Sequence, residues 1–240
     1  TTGVAETITG TAGNDTITGL LGTGATWNVF DAIDGGAGND TLTINDASTG
    51  GATSVPTSAT VVNVETANIN TAQALGVTTF GFEAAFNVSG WTGLTSLKVA
   101  STGADYVKAA TTTNVNIADT AGAVTVNGGK DVTVATTAGA VNVGYVLSSG
   151  SATTTGAVKP VGAVNVTTTG ANAVKVNGGT SVTISAADAV TVASASGAIS
   201  ATVAATNAAS TTTSLSGGTT VNLTHAANAV SSGVVSTASN

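Results

Sequence analysis

Two stretches near the front of this 240-residue chain carry residue types and spacings that could hold a metal ion. Gly35-Gly36-Ala37-Gly38-Asn39-Asp40-Thr41-Leu42-Thr43 fits the nonapeptide G-G-x-G-x-D-x-U-x at every fixed position, with U a large apolar residue. Gly10-Thr11-Ala12-Gly13-Asn14-Asp15-Thr16-Ile17-Thr18 fits it except for Thr11 in the second glycine slot. Asp31-Ala32-Ile33-Asp34, followed by Gly35, repeats the D-x-U-x-G tail nine residues before Asp40. Glycine lets a loop turn tightly and aim carbonyl oxygens inward. The Asp adds a carboxylate, and D-x-U-x becomes a short strand with one large apolar side chain pointing into a narrow core. Ca²⁺ suits such an all-oxygen site, because it takes six to eight oxygen ligands in irregular geometry. The competing reading is a turn-rich hairpin whose Asp and Asn are simply solvated. Asp46 and Glu65 read as surface or turn residues rather than ligands.

The charge distribution points to a cation as well. Twelve acids face five lysines and no arginine, for a net charge of −7. Residues 1–97 hold eight acids (Glu6, Asp15, Asp31, Asp34, Asp40, Asp46, Glu65, Glu83) and no base, and all five lysines come later. Such crowded carboxylates repel one another unless water or a cation intervenes. Nucleic acid is excluded as a partner, since binding it needs clustered cations. No run of about 18 apolar residues exists to span a bilayer. The chain has no Cys, so disulfides, thiolate catalysis and Cys-bound zinc are excluded together.

The nonapeptides resemble the RTX (repeat-in-toxin) family. The resemblance implies a right-handed parallel β-roll with calcium held between stacked loops. One loop would supply main-chain oxygens from its second and fourth positions plus its Asp, here Thr11, Gly13 and Asp15. Its partner would supply those of its first and third positions plus its Asp, here Gly35, Ala37 and Asp40, with Gly36 and Gly38 shaping the loop. In a regular β-roll stacked loops lie about 18 residues apart, whereas Asp15 and Asp40 are 25 apart. Residues Leu20 to Phe30 would then bulge out as an insertion, and Asp31 and Asp34 could complete a different site.

These loops need strands to position them, and the composition favours strands. Hydrophobic residues reach 42% with aromatics at only 3%, and Val and Thr fit a pleated surface. Short alternating segments recur: 114–117, 123–126, 131–134, 140–143, 163–166, 173–176, 181–184 and 189–192. Apart from a gap around 144–162, which reads as a loop leaving the stack, they start eight to ten residues apart. Asn127-Gly128-Gly129-Lys130-Asp131-Val132-Thr133-Val134 reappears at 177–184 and again, with Ser216 first, at 216–223. A β-sandwich would fill its interior with aromatics, yet residues 107–240 contain only Tyr145. The expected fold is therefore an all-β solenoid of about ten coils, and the RTX resemblance implies that it is a right-handed parallel β-solenoid. Its expected divisions are a calcium-binding segment at 1–46, connecting coils at 47–106 and a repetitive solenoid at 107–240. Phe80, Phe82, Phe86 and Trp91 read as a local hydrophobic plug. Val61 to Ile69 reads as strand.

Catalytic constellations are missing. His225 is the only histidine, so no H-E-x-x-H is possible, and no G-x-S-x-G elbow is present. Polysaccharide lyases on β-helices commonly use an Arg, which is absent, and Trp27 offers the one sugar platform near the acids. The expectation is a non-enzyme. The calcium motifs and the Thr/Ala/Gly/Val-rich repetition resemble the S-layer proteins of Gram-negative bacteria. That resemblance implies type I secretion, a cell-surface location and self-assembly into a lattice, with cell-surface polysaccharide as a further partner. A calcium-dependent monomeric adhesin and a polysaccharide-active β-helix enzyme are the alternatives.

Overall fold

The computed structural model describes residues 5–76, 81, 83–170, 172–204, 213–225 and 235–236. Every regular element among them is a strand, and apart from one hairpin every strand pairing is parallel. The first long sheet orders Thr16–Leu21, Thr41–Asp46, Thr66–Asn70, Ser96–Ser101, Asn114–Asp119, Val132–Thr136, Ala163–Thr168, Ser181–Ala186, Ala198–Val203 and Thr220–His225 in chain sequence. The second runs Ala52–Thr53, Ala74–Leu75, Asp105–Ala109, Val124–Gly128, Val141–Val143, Val174–Asn177, Val190–Ala195, Thr213–Gly217 and Val235–Ser236, with Phe86–Asn87 also paired to Asp105–Ala109. Behind residue 96 the chain alternates between these two sheets, one strand in each per coil. This parallel, alternating stack is consistent with a β-solenoid.

The alternation follows from period-two patterning. In the first long sheet the inward side chains stack in register, Leu42 over Ile17, then Ala67, Leu97, Val115, Val132, Val164, Val182 and Ile199. The second sheet opposes them with Val107, Val126, Val143, Val176, Val192 and Leu215, all buried. Each buried Val removes apolar surface worth about 1.5 kcal/mol from water, and two facing columns of this size leave no room for aromatics. Each strand segment expected between 114 and 192 is present.

The front coils are wider. A short third sheet, Thr7–Thr9, Ala32–Asp34 and Thr60–Val62, adds a third side to them. Thr16 pairs with Thr41 and Thr41 with Thr66, so these coils repeat every 25 residues. Trp27 fills the extra width, 1% exposed, with its ring 5.8 Å from Trp91 at 82°. Phe86 stands edge-on to Trp91 at 6.4 Å. Phe86 and Trp91 thus form the expected plug, while Phe80 and Phe82 lie outside the described residues. Burial removes Trp27 as a sugar platform, and the expected 20–30 insertion bulges out only in part: Leu20 and Leu21 lie in a strand and Trp27 in the core, whereas Val29 and Phe30 are exposed.

Two further expectations change. Val61 to Ile69 spans two strands, broken by a bend at Asn63, φ 53°, with Val64 and Glu65 in neither strand. The 144–162 excursion contains an antiparallel hairpin, Val146–Ser148 with Ser151–Thr153. The Gly150 N–H at its tip donates to the Glu83 carboxylate at 2.5 Å, holding that carboxyl below the usual range. The hairpin overlies the second sheet beside Thr125, Asn142 and Lys175, leaving an open cleft of about 460 Å³ between them. Among the described residues no helix is long and apolar enough to cross a membrane.

Candidate metal centre

The two nonapeptide loops stack directly on each other, because the strands flanking them are in register on both sides. Thr9 pairs with Asp34 before the loops and Thr16 with Thr41 after them. The Ala37 N–H donates to the Thr11 carbonyl at 3.1 Å, and the Asn39 N–H donates to Asn14 Oδ1 at 2.9 Å. Gly36 sits at φ 93°, and a Cβ there would fall 2.2 Å from the Thr11 oxygen. Glycine is therefore required by both conformation and contact.

Asp15, Asp40 and Glu65 occupy one column at the entrance to the first long sheet. The Asp15 N–H donates to Asp40 Oδ1 at 2.7 Å, and the Asp40 N–H donates to Glu65 Oε2 at 2.7 Å. Asp40 and Glu65 thereby each hold an amide of the preceding coil. Glu65 was not expected in this set; its 25-residue offset from Asp40 was the available signal. No nonapeptide surrounds it, so motif matching passes over it.

The carboxylates differ in what remains free. Asp15 Oδ2 accepts from the Thr11 N–H at 2.6 Å and from Thr11 Oγ1 at 2.9 Å. Asp34 Oδ1 accepts from the Gly36 N–H at 3.0 Å and from Asn63 Nδ2 at 2.8 Å. Asp31, at the other end of the same strand, is fully buried. It accepts from the Glu6 N–H at 2.9 Å with one oxygen and from the Asn28 N–H at 2.6 Å with the other, so it closes the 22–31 excursion. Asp40 is 1% exposed, and its Oδ2 has no hydrogen-bond partner. An unsatisfied buried carboxylate oxygen is costly. A Cβ placed on Gly35 would meet both this oxygen, at 2.7 Å, and the Asn63 carbonyl oxygen, at 1.9 Å. The free oxygen and that carbonyl thus flank one backbone point.

The donor set fits a hard cation: it is all oxygen, it carries excess negative charge, and one buried oxygen lacks a partner. No three Asp, Glu or His side chains converge among the described residues, so an ion here would rely on main-chain carbonyls to complete its shell. Thr11, Gly13, Gly36, Ala37 and Gly38 all belong to the stacked pair, with Thr11, Gly13, Ala37 and Gly38 on its exposed rim.

A second pair of buried acids lies apart from the loops. Asp105 occupies an inward column between Leu75 and Val124, with Ser101 Oγ donating to Oδ2 at 2.5 Å and Oδ1 unpartnered. Burial pushes its carboxyl up to about 7, against the Ser101 bond and with help from the Asp119 charge. Asp119 is satisfied by the Ala121 and Gly122 amides. Neither a protein-family model nor a curated protein sequence matches the chain.

Proposed function

We propose that this chain is a structural, self-assembling subunit of an extracellular S-layer lattice, and that its front coils fold around calcium. The observation that carries the reading is Asp40, a buried carboxylate with one free oxygen beside stacked glycine loops whose sequences resemble the RTX nonapeptide. Asp40 and the Asn63 carbonyl would hold the ion, with Asp15, Asp34 and Glu65 supplying charge around it. Calcium supplies the positive charge that these coils lack. The stacking of the 10–15 loop on the 35–40 loop supports the pairing of Thr11, Gly13 and Asp15 with Gly35, Ala37 and Asp40 within a solenoid coil. Calcium is about millimolar outside cells, a level that suits weak extracellular sites, so secretion and folding would be linked.

The lattice part is supported by the outer surface. One outward column of the first long sheet reads Thr18, Thr43, Asn68, Lys98, Asn116, Thr133, Asn165, Thr183, Ser200 and Asn222. A flat, nearly uncharged face meets copies of itself with little repulsion.

The test is chelation. EGTA is expected to lower the β-sheet circular dichroism of the front coils and to disperse assembled particles seen by negative stain, with both restored by calcium. Unchanged spectra and particle size overturn the reading. Asp40→Ala is expected to weaken calcium affinity at least about tenfold, a loss of about 1.4 kcal/mol. Asp188→Ala, far from the loops, leaves it unaltered.

A further inference from the structure

Among the described residues two exposed apolar pairs remain after the core is assigned, with Leu223 exposed apart from them; the first lies in coils that carry acids and no base, the second beside lysines. The first is Val29–Phe30, 47% and 67% exposed. Phe30 has φ 68°, a conformation that a bulky side chain adopts only under strain. Its backbone is held there by the Phe30 N–H bond to the Thr57 oxygen at 3.1 Å and by buried Asp31 next to it. A strained backbone that presents an aromatic ring to water costs twice, and such outliers cluster at functional surfaces. The coils that carry it hold acids and no base.

The second patch is Val158 and Val161, 39% and 52% exposed, with exposed Lys159 between them. The neighbouring turn adds exposed Lys130, whose carbonyl accepts the Gly162 N–H at 2.9 Å. Asp131 is the nearby acid; it is half-buried and accepts the Ala163 N–H at 2.8 Å. This segment is fixed as well. The Val158 N–H donates to Asn127 Oδ1 at 2.7 Å, and the Val158 oxygen accepts the Gly128 N–H at 2.8 Å. The result is a rigid apolar shelf flanked by two lysines.

We propose that the Val29–Phe30 ridge of one copy of this chain docks on the Val158–Val161 shelf of a second copy, with Lys130 and Lys159 facing the acidic front coils. The proposal deepens the lattice reading and rests on it. Ridge and shelf are different surfaces, so the contact is heterologous and each copy keeps one free ridge and one free shelf. Repetition of such a contact yields an open array rather than a closed dimer. The aromatic anchor gives affinity, and the charges set orientation and make the contact weaken with salt.

The experiment uses the calcium-loaded protein and sedimentation velocity. Phe30→Asn removes the ring and places at φ 68° a residue that tolerates that region. Its thermal midpoint is therefore expected to hold or rise while the concentration needed for assembly rises at least about tenfold. A variant carrying Val158→Ser and Val161→Ser is expected to lose assembly likewise. Mixing the two is expected to give a one-to-one pair, because one carries an intact shelf and the other an intact ridge. Unchanged assembly of Phe30→Asn, or a mixture that stays monomeric, overturns the proposal. If chelation still disperses wild type while Phe30→Asn assembles normally, the ridge is wrong and the calcium reading stands. A wild type that fails to assemble with calcium overturns both.

Discussion

The front and rear coils meet the same requirement, a stack of parallel strands, with opposite materials. Front coils take 25 residues and three strands, and they fill their width with Trp27, Phe86 and Trp91. The shortest rear coils take 16 or 17 residues and two strands, with facing columns made almost wholly of aliphatic side chains inside. The corners differ as well. Rear corners are glycine pairs whose backbone bonds across coils, as where the Gly178 N–H meets the Ala193 oxygen at 2.9 Å and the Thr180 N–H meets the Gly162 oxygen at 2.8 Å. Front corners use carboxylates for that purpose. Along the shared corner column Asp15, Asp40 and Glu65 give way to Thr95, Thr113 and Lys130. Rear corners thus lean on backbone bonds, whereas front coils accumulate negative charge, which the proposed calcium would balance.

The largest expected effect is at the front core. Trp27→Ala should cost about 3–5 kcal/mol, because the large cavity it leaves cannot collapse against Trp91. Denaturant unfolding in excess calcium measures it. Trp27→Phe should cost less, since the indole Nε1 is buried without an acceptor, and removing an unsatisfied donor offsets part of the lost volume.

Next comes Asp105, which tests whether a buried acid without a cation behaves differently from the loop acids. Its folded carboxyl stands near 7 against an ordinary 3.8. Below pH 3.8 both states are protonated and the contribution is whole. Between 3.8 and 7 the native state binds the proton and the unfolded state does not, so stability falls as pH rises, by about 4 kcal/mol across the window. Asp105→Asn should flatten this slope and stabilise the protein at pH 8. A wild-type stability curve that matches the variant between pH 5 and 8 removes the assignment.

Smaller, and sharper for the comparison, is hydrogen exchange with and without EGTA. Amides of Thr7–Thr9 and Ala32–Asp34 should lose protection, while those of Val132–Thr136 and Ser181–Ala186 keep theirs. Uniform loss along the stack would erase the distinction between front and rear. The smallest effect is Ile117→Val in the rear core, about 1 kcal/mol, independent of calcium.

Much of the rear was legible because its signals are local. Val124 and Val126, or Val182 and Ile184, alternate with polar residues, and strand and turn follow from neighbours a few positions away. The nonapeptides announced their loops for the same reason. Glu65 and Asn63 were not legible, because no motif surrounds them and only the length of the intervening coil brings them beside Asp40 and Gly35. The break at Asn63 was hidden by a continuous Val-rich run that reads as one strand. Nothing in the sequence around Asp105 marks it as buried, and only its register opposite Leu75 and Val124 places it inside.

Residue alternation and glycine spacing were enough to determine that the chain forms short strands, that these pack around a thin aliphatic core, and that acidic loops crowd one end. Both are short-range properties that each segment expresses alone. The tertiary structure decided which loop lies on which, that the front coils gain a third side, and which carboxylate oxygen is left without a partner. Those outcomes depend on cross-coil register, which sums the lengths of whole coils and of every excursion within them. A one-residue change anywhere in a coil would turn its side chains to the opposite face.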